Sequence, residues 1–188
     1  ELFEARTPKG AALLAQKPSH LQALLAVASL RKRNGASHDE VAALLANAVK
    51  LNPTEAAPRL QLIDHHLAAR KTEPALVVAQ EAVTQLPSNP QILDALGRVQ
   101  ALNGDANQAI STFNKVATLQ PNSALPQMRL AEVYMATKDS RGARQSLQRA
   151  LAITPNLLAA QSGLLQLHVT EGRIDDALAV ARSVQKQR

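Results

Sequence analysis

The chain has no cysteine and no tryptophan, and its aromatic residues are two phenylalanines and one tyrosine. Without thiols it can build neither a disulfide nor a sulfur-bound zinc site, and cysteine usage leaves the redox compartment open. Phe3, Phe113 and Tyr134 are too few and too scattered to form a stacking platform for bases or sugar rings, which argues against nucleic acid as a partner. No apolar run reaches the roughly 18 residues that a membrane-crossing helix needs. Strand signals are missing, and glycines such as Gly97, Gly104, Gly142, Gly163 and Gly172 stand singly, so no phosphate-cradling loop exists.

What is present is a repeat. Pro53, Pro87, Pro121 and Pro155 follow one another at intervals of 34 residues, and the intervening sequence aligns without a gap. In this register Leu62, Leu96, Leu130 and Leu164 form one column, and Ala75, Ala109, Ala143 and Ala177 another. Looser apolar columns run through Ile63, Gly97, Ala131 and Leu165; through Ala79, Phe113, Leu147 and Ala181; and through Ala82, Val116, Ala150 and Val184.

Within a unit the apolar residues recur three and four apart, which predicts two amphipathic helices per unit. Small residues in the columns allow close helix approach while Leu and Phe fill the gaps. Gly35, Gly104 and Gly172 mark the turn between paired helices, with Arg70 and Lys138 in the same slot. Thr54, Ser88 or Asn89, Asn122 or Ser123, and Asn156 are candidate N-caps after each proline. The first full unit has one extra residue after Gly35, which predicts a longer turn around Ala36–His38.

The period, the leucine followed by a small residue, the alanine thirteen positions later and the closing proline resemble tetratricopeptide repeats over roughly residues 19–188. The resemblance implies an all-α fold, an α-α superhelix of stacked helix-turn-helix units. The expected division is a single array: a partial unit over 1–18, read as a second helix, then units 19–52, 53–86, 87–120, 121–154 and 155–188. The slot that usually holds an aromatic is Tyr134 in one unit but Arg31, His66, Gln100 and His168 elsewhere, so contacts there should be looser or differently satisfied.

A narrower resemblance rests on strings including Pro58-Arg59-Leu60, Leu93-Asp94-Ala95-Leu96-Gly97-Arg98, Asn107-Gln108-Ala109-Ile110-Ser111-Thr112-Phe113 and Leu119-Gln120-Pro121-Asn122-Ser123. These resemble the C-terminal region of the PEP-CTERM system tetratricopeptide lipoproteins. That family implies a lipid-anchored protein on the periplasmic side of a bacterial envelope, associated with exopolysaccharide production and exosortase-dependent sorting. Its anchor would lie outside this stretch, which reads as a piece of a longer array.

Catalytic chemistry finds little support. Asp64-His65-His66 is the one local cluster, and neighbours on a helix point about 100° apart, so they cannot close on one ion. His66 and His168 occupy the aromatic slot and are read as filling it. Asp39-Glu40 and Asp175-Asp176 sit at helix starts, where they complement the dipole. The expectation is a chain that is not an enzyme and takes no cofactor or metal.

The remaining candidate is the face of the first helices, which lines the concave side in such stacks. Its residues off the packing columns include Leu60, Asp64, Leu67, Asp94, Arg98, Leu125, Met128, Glu132 and Met135. The apolar members suit a helix or an extended peptide, although Leu60 and Leu125 could equally pack between neighbouring first helices. The expected partner is therefore a protein or peptide. The alternative is an anionic polysaccharide or other polyanion held by Arg31, Lys32, Arg33 or by Arg141, Arg144, Arg149, since the formal charge is +6.

Overall fold

The computed structural model describes residues 19–186; the helix expected over 1–18 lies outside them. All regular structure among the described residues is helical. In chain order the helices are α1 (Leu21–Arg33), α2 (His38–Leu51), α3 (Ala56–Ala68), α4 (Thr72–Gln85), α5 (Pro90–Leu102), α6 (Ala106–Leu119), α7 (Leu125–Ala136), α8 (Ser140–Ile153), α9 (Leu158–Thr170) and α10 (Ile174–Lys186). Each expected 34-residue unit holds two of them.

The helices fall into two compact units, one ending at Asn103 and one beginning at Gly104. In the first, α1 to α5 each pack on the next helix in the chain, and α3 also touches α5. In the second, α6 to α10 do the same in sequence. Contacts between near neighbours are what a repeat stack provides in place of one central core.

The sequence columns are the core. Leu62, Leu96, Leu130 and Leu164 are buried, as are Ala75, Ala109, Ala143 and Ala177. In the first unit Ile63, Ala75, Ala79, Ala95, Leu96 and Val99 form one cluster, and Ala28, Val41, Leu45 and Leu62 another. In the second, Ala131, Leu147, Ala150, Ala160 and Leu164 pack together. Small residues at these sites are a requirement of packing. A Cβ on Gly142 would lie 2.7 Å from the Tyr134 ring, so the unit with a true aromatic in the slot has no side chain facing it.

The turn between paired helices needs a left-handed residue, and the anticipated slot supplies it. Gly35, Gly104 and Gly172 have φ of 81°, 90° and 73°, while Arg70 and Lys138 adopt 57° and 62° in the same place. The amide after this residue closes the helix end by bonding back to the slot usually held by an aromatic: Ala36 to the Arg31 carbonyl, Lys71 to His66, Asp139 to Tyr134 and Arg173 to His168.

The first turn is longer, as expected, but runs over Asn34–Ser37. His38 is already helical, and Ser37 caps α2 by accepting from the Glu40 amide at 3.2 Å. Asn89 caps α5 as expected, accepting from Gln91 and Ile92. Three other caps differ. The cap residue is Glu55 rather than Thr54 in α3, and Leu157 rather than Asn156 in α9. In α7 it is Ala124, with Ser123 Oγ accepting from Leu125 at 3.4 Å. In these three the turn after the closing proline runs further, so the helix begins later than composition alone suggests.

Candidate functional site

In the first unit the candidate residues lie on α3 and α5, first helices packed side by side. Asp64 and Arg98 occupy the same column of successive units and pair at 3.0 Å. Their charges therefore meet each other and leave a bridged, partly exposed polar spot. Leu60 and Leu67 are half-buried against the Ile63–Val99 cluster, so much of their surface goes to packing. Asp94 is half-buried.

In the second unit the candidates lie on α7. Leu125 is 49% exposed, and so is not taken up by packing between first helices. Met128 is half-buried against the cluster of Ala131, Leu147 and Leu164, and Met135 is half-buried as well. Glu132 is exposed and pairs with Arg129 at 3.1 Å. On α9, Leu158 and Val169 are also exposed. Along α7, Leu125, Met128 and Met135 make an apolar strip of adaptable side chains with one ion pair beside it.

The basic residues proposed for a polyanion are partly committed. Arg144 places Nη2 2.6 Å from both carboxylate oxygens of Glu171, and Arg31 lies 3.7 Å from Glu40. Lys32, Arg33, Arg141 and Arg149 are exposed.

Among the described residues no group of three or more His, Cys, Asp and Glu could hold a metal ion. The Asp64-His65-His66 triplet divides as helix geometry requires, with Asp64 turned to Arg98. The two histidines meet a third that sequence spacing does not single out. His38, first residue of α2, stacks on His65 with ring centroids 4.3 Å apart, and its Nε2 lies 3.2 Å from Nδ1 of His66.

The family model for the tetratricopeptide repeat matches residues 100–156. Solved structures extend the likeness over most of the chain. MamA from Desulfovibrio magneticus RS-1 superposes with a TM-score of 0.72 at 15% identity, covering 88% of this chain and 93% of its own. The Thermus thermophilus protein TTC0263 gives 0.66 at 23% identity, covering 89% and 91%. The fold is that of stacked tetratricopeptide repeats. YrrB, described as a tetratricopeptide protein with an unusual peptide-binding site, gives 0.65 at 18% identity, covering 87% and 80%. At these identities the likeness concerns the fold of the repeats. Comparison with curated proteins finds no match.

Proposed function

We propose that this tetratricopeptide chain is a non-catalytic scaffold that binds a protein segment or peptide on the faces of its first helices. The observation that carries this reading is the strip on α7, where Leu125 stays 49% exposed beside half-buried Met128 and Met135 while the column residues of the same helix are buried. Apolar side chains at helical spacing, flexible enough to repack, suit a peptide or helix partner. The peptide-binding site in YrrB's description supports a ligand of this kind on the same fold.

The test is a peptide display selection against the whole chain, followed by affinity measurements on variants. Met128→Glu should weaken binding about tenfold or more, as expected when an apolar contact is replaced by an unpaired charge. Helicity and melting temperature should hardly change. Leu130→Ala, which removes a side chain only 1% exposed, should instead cost about 2–5 kcal/mol of stability. Failure of Met128→Glu to fold would place Met128 in the core and remove it from the site.

The sequence resemblance also supports placing the chain in a lipid-anchored protein on the periplasmic side of a bacterial envelope, linked to exopolysaccharide production and exosortase-dependent sorting. Fractionation of the native host tests this, and recovery in the cytosol would overturn it. Binding of an anionic polysaccharide through the basic surface has the +6 charge in its favour and the Arg144–Glu171 and Arg31–Glu40 pairs against it. That reading requires affinity that falls steeply with salt.

A further inference from the structure

The histidine cluster joins two repeats. His38 opens α2, the second helix of the first full repeat, and His65 and His66 lie in the last turn of α3, the first helix of the next. His65 Nε2 lies 2.9 Å from the His38 carbonyl oxygen, so that nitrogen carries the proton and donates. Its other nitrogen, Nδ1, is buried and without a partner, in a residue only 7% exposed. Between His38 Nε2 and His66 Nδ1 one ring must donate and the other accept, so the bond exists only while at least one of them is neutral. The three centroids lie within 6.2 Å of one another.

We propose that His38, His65 and His66 form a pH-sensitive latch between the first two full repeats, closed while the His38–His66 hydrogen bond is made and opened when both of those imidazoles become charged. Doubly protonating His38 and His66 abolishes their shared hydrogen bond and places like charges on rings whose centroids are 5.2 Å apart. A charge on His38 also stands at the N-terminus of α2, where the helix dipole opposes it. The dipole at the end of α3 favours charge on His66, but the His38 ring acts against it from hydrogen-bond distance.

The surrounding charges offer little compensation. Lys32 comes from the end of α1 and Lys71 from the start of α4, and both add positive charge. Asp39 is held by Lys71 at 3.1 Å, Glu40 lies 3.7 Å from Arg31, and Asp64 on α3 is taken by Arg98 of α5. Burial, followed by the neighbouring imidazoles, lowers the pKa of both His38 and His66 from the ordinary 6.5. With both folded values below the unfolded one, the unfolded chain binds more protons in that window. Stability is therefore complete above about pH 6.5 and falls as the pH drops below it.

The experiment is hydrogen exchange on the whole chain, corrected for intrinsic rates, at pH 7.5 and 5.5. Amides of α1 and α2 should lose protection, by at most about tenfold for each of His38 and His66. Those of α7 and α8, which contain no histidine, serve as the internal reference. His20 caps α1 by accepting from the Ala23 amide at Nδ1, and serine at that position keeps a capping oxygen while removing the imidazole. The loss should therefore persist in His20→Ser and shrink in His38→Gln and His66→Gln. Equal protection of α1 and α2 at the two pH values in the native chain would overturn the latch, as would an undiminished loss in both glutamine variants. The native measurement stands even if a variant fails to fold.

Discussion

Lys138 sits in left-handed backbone with φ of 62°, a conformation that disfavours any residue carrying a Cβ. Lys138→Gly should relieve that strain at some expense in chain entropy, for a net gain of about 0.5–1 kcal/mol read from the urea midpoint. An unchanged or lower midpoint would mean that the lysine side chain makes up for its backbone. This slot is legible in the sequence, because glycine occupies it in three other units. The meeting of His38 with His65 and His66 is not. It depends on the extra residue in the first turn and on the orientation of three side chains across two helices, and neither periodicity nor column position carries that information.

At the scale of the helix, the column residues and the pairing of helices follow directly from the 3.6-residue stripe. Pro90 is the first residue of α5 and Pro126 the second of α7, near helix starts, where a missing amide costs nothing. Caps were legible only in part. Asn89 makes two bonds to the first turn of α5, and Asn89→Ala should cost about 1 kcal/mol in thermal or urea unfolding. Neither Thr54 nor Asn156 is the cap residue of the helix that follows it, since the chain turns for one further residue before each helix begins. Composition names good capping residues, but the path of the chain decides which one stands at the cap.

For the molecule as a whole, the repeat determines how each helix is buried and leaves open what the exposed faces bind. Leu60 and Leu67 read as groove residues in the sequence, yet both spend much of their surface on the first unit's core, because neighbouring first helices approach closely there. Asp64 and Arg98 read as separate polar contacts and are partners of each other. The exposed apolar strip on α7 survives this sorting, and it supports the proposed role as a peptide-binding scaffold.

The chain has two methionines, Met128 and Met135, and both lie on that strip. Methyl NMR of the methionine side chains, recorded while a display-selected peptide is titrated into the native chain, therefore reads the proposed site with two signals. Both methyl resonances should shift and saturate with the same affinity as the binding isotherm. Saturable binding that leaves both resonances in place would put the partner elsewhere and contradict the account.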